Sequence, residues 1–234
     1  MSAPSAPTLR SPLALRAAAI LAVIYVLAAH AVDTLAANGS VLGIEWSRFR
    51  WNLGNGIDLF KFIAWFLIPL ALSIPTLDFG YFTFRRWKRV DWMLLALFVV
   101  GGGIVVFLLP YWPGVGDYYG GWGHLAPSRR WDYAMSRFLW TLSWLSGWEF
   151  AHRYFLIRPL QAAWPRGWIA VLVIVPAIEV LYHVIQEKPM LESLGMGGLS
   201  LLMCAWTLSR RNSLLPFLGH LAIEVELIAY LYFH

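Results

Sequence analysis

Glu149 and Arg153, Glu179 and His183, and His220 and Glu224 are three pairs of ionisable residues, each spaced i,i+4 and each lying inside an apolar run. On a helix such partners sit one turn apart on the same face. A charge near the centre of a bilayer costs roughly 2.5–3.5 kcal/mol, and such groups usually face the bundle interior and pair with one another. Three such pairs in one short chain imply a shared polar cluster. Carboxylates and imidazoles gathered in this way suit hydrolysis, in which a base activates water and a donor meets the developing oxyanion. Two histidines and two glutamates also make a reasonable donor set for zinc or another divalent metal, with water as the open ligand. A third use is a lined path for protons or solutes. The plain structural alternative is self-neutralisation, above all for Glu149–Arg153 near a helix end.

Other polar residues carry less weight. His152 stands beside Arg153 and reads as structural. Glu226 points away from Glu224 and reads as a surface or interfacial residue, while His30, His124 and His234 lie near helix ends or in loops and receive no role.

The elements that must hold the cluster follow from composition. The chain has 234 residues, of which 59% are hydrophobic and 13% charged, against about 45–50% and about 25% in soluble domains. The 14 Trp and 10 Tyr suit two membrane interfaces. The net charge of +5 is explained by basic loops facing the cytoplasm, so nucleic acid is not an expected partner. The single cysteine, Cys204, excludes an intrachain disulfide.

A membrane helix needs about 20 apolar residues, which predicts seven spans at 14–37, 58–77, 91–111, 133–157, 167–187, 193–209 and 213–232. The expected fold is an all-α polytopic bundle, residues 13–234 forming one membrane domain behind a disordered cytoplasmic tail at 1–12. Arg10, Arg16 and the "AHA" at 29–31 resemble a signal peptide with its cleavage site, but the length of the run and the six spans after it favour a retained helix. Residues 111–131 read as an irregular surface loop. With the N-terminus inside, 10 basic residues fall on inner segments and 7 on outer ones, with Arg153 left within a span. The "RRWKR" and "RR" clusters both fall inside, as the positive-inside rule asks.

The order "WEFAHR", "EVLYHVIQEKPMLE", "TLSRRNSLLPFLGHLAIE" resembles the CAAX-protease and bacteriocin-processing (CPBP, or Abi) family of intramembrane glutamic proteases. That family carries EExxxR, FxxxH and HxxxN or HxxxD on successive helices, and the resemblance covers about 130–234. Trp148 replaces the first glutamate, as in a Trp-Glu version of the motif. Glu179 replaces the aromatic residue four positions before His183, and Glu224 stands where Asn or Asp is usual.

The resemblance implies an endopeptidase of the bacterial inner membrane, acting without a cofactor on a membrane-anchored or lipidated peptide. Glu149 would be the base, and His183 would hold or share the water's proton. His220 and Glu224 would face the oxyanion, and Arg153 would neutralise the motif-one carboxylate. An ionised Glu224 has only acceptors, so its better use is to orient His220. A zinc-dependent protease and a non-catalytic scaffold that binds peptides or lipidated tails are the alternatives. Depth is a difficulty: Glu149 falls at or beyond mid-membrane while His183 falls nearer the outer face. These agree only if a helix protrudes, tilts or begins elsewhere.

Overall fold

The computed structural model describes residues 11–38, 40–41, 44–45, 52–53, 56–108, 111–112 and 121–234. Helix α1 (Pro12–Asn38) opens with Pro12, and the Ser11 hydroxyl accepts from the Ala14 N–H at 3.2 Å. Two short antiparallel pairs follow, β1 (Ser40–Val41) with β2 (Ile44–Glu45) and β3 (Asn52–Leu53) with β4 (Ile57–Asp58). The span Leu59–Thr76, α2, contains a π-helical segment at Phe62–Leu67. A connection with two 3₁₀ turns leads to α3 (Arg89–Leu108). Helix α4 (Pro127–Phe150) passes through a π-helical turn at Ala151–Phe155 into α5 (Ile157–Ala163). The chain ends with α6 (Gly167–Ile185), α7 (Met190–Arg210) and α8 (Leu214–Phe233).

The fold is all-α apart from those two-residue strands, which the sequence reading did not anticipate. Six helices, α1, α2, α3, α6, α7 and α8, are long and apolar enough to cross a membrane, which marks an integral membrane protein. The seventh expected span, 133–157, does not join them on composition. It lies on the α4–α5 rod, whose first third carries Arg129, Arg130, Asp132 and Arg137. That rod begins at Pro127, inside the stretch expected to be an irregular loop, and runs on to Ala163. The expected tail at 1–12 falls mostly outside the described residues, and α1 already begins at Pro12.

Burial is inverted relative to a soluble protein. Large apolar side chains such as Leu21, Met93, Leu97, Phe107 and Val173 are exposed, while Glu149, His152, Arg153, Glu179, Ser200 and Thr207 are buried. The continuous apolar exterior is suited to lipid. In the interior, Leu156, Ile157 and Leu160 of the rod pack with Ala19, Ala22 and Val26 of α1 and Val171, Val175 and Ile178 of α6.

The rod approaches α2 closely at Gly147. A Cβ there would lie 2.6 Å from Trp65 Cβ and 3.0 Å from its carbonyl carbon. Gly147→Val should therefore force α2 away from the rod, at about 1–3 kcal/mol. The expected outcome is a clearly lower melting temperature in detergent, whereas Gly101→Val, with open space at its Cβ, should melt near the native value.

Candidate active site

The π-helical turn places the site. Its wider ring, with the Leu156 N–H bonded to the Ala151 carbonyl at 2.9 Å, re-aims His152 and Arg153 just after Glu149. Such turns inside α-helices often mark functional positions. The Arg153 carbonyl accepts from the Ser213 hydroxyl at 3.0 Å, and the Ser213 N–H donates to the Tyr81 carbonyl at 2.8 Å. Asn212 Oδ1 accepts from the N–H groups of Leu214 and Leu215 at 3.0 and 3.2 Å, capping α8. The Asn-Ser of "RRNSLLPFLGH" thus starts α8 and pins it to the turn, and six residues on His220 arrives opposite Glu149.

The geometry at that point is specific. Glu149 Oε1 accepts from His220 Nδ1 at 2.7 Å, and Glu149 Oε2 lies 3.4 Å from Arg153 Nε. Arg153 grips Glu179 with both ends of its guanidinium, Nη1 to Oε1 at 2.5 Å and Nη2 to Oε2 at 3.1 Å. Nη1 also donates to Ser200 Oγ at 3.2 Å and to Cys204 Sγ at 3.4 Å. Glu149, Arg153, Glu179 and His220 are all buried. Two carboxylates against one guanidinium leave one negative charge, which a protonated His220 would cancel.

Four of the six expected residues therefore meet, but across helices rather than along them. Glu179 gives its carboxylate to Arg153, and His183 Nδ1 donates to the Glu179 backbone carbonyl at 2.8 Å. Among the described residues, neither Glu179–His183 nor His220–Glu224 is joined by a side-chain hydrogen bond. His183 instead packs edge-on against Trp148, with ring centroids 5.7 Å apart. Trp148 of the rod thus abuts His183 of α6. Glu224 is partly buried and carries no contact of this kind.

Measured along each helix, the site residues lie at different distances from the nearer helix end. At 1.5 Å per residue, Glu149 lies ~21 Å from the Ala163 end of the rod, Arg153 ~15 Å, Glu179 ~18 Å from Gly167 and His220 ~9 Å from Leu214. Those ends lie on one side of the bundle, where Ser213 meets Tyr81 and Arg210 meets Asp91.

Several participants were missed in the sequence. His30 Nε2 and His152 Nε2 are 3.2 Å apart, and His152 Nδ1 donates to the Trp148 carbonyl at 2.8 Å. That bond leaves His152 Nε2 as acceptor for the His30 N–H. A histidine in a hydrophobic run was the available signal, but nothing local pairs residues 30 and 152. Ser200 and Cys204 gave no signal at all. Glu226 is not a free surface group: its carboxylate packs on α3, and a Cβ at Gly102 would come 2.5 Å from Oε2. His124 and His234 lie at the far end of the molecule from the basic loops and take no part in the site. Among the described residues, no three His, Cys, Asp or Glu side chains converge as a metal site. Comparison with protein-family models, curated proteins and solved structures finds no match for this chain.

Removing one partner of a buried ion pair strands the other charge and typically costs 3–5 kcal/mol. Glu179→Ala should therefore destabilise strongly in a denaturant titration of the detergent-solubilised protein. Arg153→Met combined with Glu179→Leu should lose less than the two single changes added together, because neither charge of that pair remains stranded and Glu149 keeps His220.

Proposed function

We propose that this chain is an intramembrane peptidase that activates water with a joined Glu149–His220 pair. The observation that carries the reading is the 2.7 Å hydrogen bond between two buried groups from different helices, with Arg153 on the second carboxylate oxygen. An ionised carboxylate can only accept, so His220 donates from Nδ1 and keeps Nε2 as a bare lone pair. Water bound at Nε2 gives up its proton as it attacks the peptide carbonyl, and Glu149 stabilises the imidazolium that forms. The imidazolium then returns the proton to the leaving amine. Arg153 fixes the Glu149 carboxylate while being held by Glu179. Glu179 is unsuited to act as the base, since both of its oxygens are taken by the guanidinium.

The resemblance to the CPBP family supports the same reading. Positions 148, 149 and 153 of its first motif meet His183, His220 and Glu179 respectively. In the proposal His183 and Glu224 line the substrate side, and the substrate is a membrane-anchored or lipidated protein tail. The proposed topology is seven crossings of a bacterial inner membrane, counting the α4–α5 rod, with the N-terminus in the cytoplasm.

Proteomics of a deletion strain of the host should reveal membrane or secreted proteins that lose a processing event. Complementation with Glu149→Gln should fail, since loss of the orienting carboxylate in such dyads costs on the order of 10⁴ in rate. His220→Ala should lose about 10²–10⁴. Full restoration of processing by Glu149→Gln would falsify the mechanism. Purified protein should cleave the identified tail in chelator, and Glu224→Gln should remain active. Loss of activity in chelator, regained with zinc, would instead establish the metal-dependent alternative. Reporter fusions after Arg89 and Arg211 should read as cytoplasmic and one at His234 as extracytoplasmic. The reverse pattern would overturn the orientation.

A further inference from the structure

A second polar feature lies at the end of the bundle where the basic loops gather. A cavity of about 360 Å³ opens there, lined by Tyr81, Arg158, Gln161, Ala162, Leu208 and Arg211. Arg158 is held in place: Nη1 donates to the Thr76 carbonyl at 2.5 Å and to the Tyr154 hydroxyl at 2.6 Å. Its guanidinium carbon also sits 5.7 Å from the centre of the Tyr81 ring and 5.2 Å from that of Tyr154. Arg211 closes α7 in a left-handed conformation, φ 51°, with its N–H bonded to the Thr207 carbonyl at 2.8 Å. That conformation is unusual outside glycine and asparagine, and it brings the residue into the lining of the same cavity.

The nearby acids are occupied. Asp91 takes Arg210 on both oxygens, at 3.1 and 2.7 Å, and Asp78 accepts from the Gly80 N–H at 2.9 Å. The RRWKR run at 85–89 and Arg166 add further positive charge at this end. Arg158 and Arg211 thus face one cavity, Arg211 with its side chain bonded to Tyr81 and within electrostatic reach of Asp78. Nearby on the α2 end, Ile74 and Phe79 are 65% and 75% exposed, an apolar surface beside the charged one.

We infer that the Arg158–Arg211 cavity binds a phosphate group, and that its occupant is the headgroup of an anionic phospholipid. Guanidinium forks match phosphate oxygens, and basic pockets between membrane helices on the cytoplasmic side are suited to anionic headgroups. A volume near 360 Å³ falls within the range of small-ligand pockets. The held Arg158 supplies a preorganised donor, and the exposed Arg211 can close over the ligand.

The test is native mass spectrometry of the full chain, titrated with phosphatidylglycerol and, separately, phosphatidylcholine. The native protein should retain a phosphatidylglycerol molecule that phosphatidylcholine does not replace. Arg211→Gln should weaken that binding about fivefold. Ala162→Trp, which fills the cavity and removes no charge, should abolish it. Arg89→Gln removes a charge from the same end outside the cavity and should leave the retained molecule in place. Equal losses in Arg211→Gln and Arg89→Gln, with none in Ala162→Trp, would show a diffuse basic surface and overturn the site. Displacement of the lipid by millimolar inorganic phosphate would overturn the lipid assignment and make a free phosphate compound the occupant. Each variant must melt within a few degrees of the native protein. Arg158→Lys, which keeps the charge but loses the fork, provides a further check, and retention by it equal to the native protein would also overturn the site.

Discussion

Arg153 is the group around which this bundle closes. A guanidinium buried in an apolar interior carries a desolvation penalty of several kcal/mol, which only close, well-oriented partners can offset. Its partners come from three other places: Glu149 one turn earlier, Glu179 from α6, and Ser200 and Cys204 from α7. Its own carbonyl is taken by Ser213 at the start of α8. Each of those helices thus meets the rod at this residue. Displacing any one of them would leave a buried donor or a buried carboxylate without its partner.

The same constraint explains why the α4–α5 rod differs from its neighbours. An arginine, two histidine-bearing contacts and a glutamate cannot face lipid, so the helix that carries them must be wrapped by others. Helices α1, α2, α6, α7 and α8 pack against the rod and cover its buried polar residues, while α3 packs on α8. The π-helical turn completes the arrangement. One extra residue in the ring rotates everything after Phe150, so that Arg153 reaches Glu179 while remaining beside Glu149. A regular helix through 151–155 would rotate the guanidinium out of this register.

Much of this was legible in the sequence, and the part that was not has a physical cause. Apolar run lengths placed the six apolar helices within a few residues, because the bilayer sets that length, and missed the ends of the rod by six residues each. Ionisable residues inside those runs identified Glu149, Arg153, Glu179 and His220, because their burial is too costly to be incidental. What i,i+4 spacing could not supply was partner choice. It establishes that two residues share a face, but the face is then contested by every helix packed against it. Glu179 shares a face with His183 and yet gives its carboxylate to Arg153. His220 shares one with Glu224 and yet bonds Glu149. His30 and His152, 122 positions apart, meet at 3.2 Å with no local pattern to join them. Residues 127–131 fall in a Gly- and Pro-rich stretch that reads as loop, yet they begin the rod, where Arg130 bonds the Tyr232 carbonyl of α8 at 3.4 Å.

Trp148 shows how one position can redirect a site without dismantling it. Its indole packs against His30, Trp65, His152, Tyr182 and His183, with ring centroids between 4.3 and 5.7 Å. A carboxylate at 148 would face His183 directly, forming a second acid–imidazole pair beside Glu149–His220. The indole instead offers apolar volume there, packed among the rings of His30, Trp65, His152 and Tyr182. Two buried carboxylates one residue apart would also repel each other, and each would need a cation of its own. Arg153 is already shared between Glu149 and Glu179. With tryptophan at 148 the charge around Arg153 stays at two acids, a balance that one guanidinium and one imidazolium can meet. In the proposed reading the chemistry then belongs to the remaining pair.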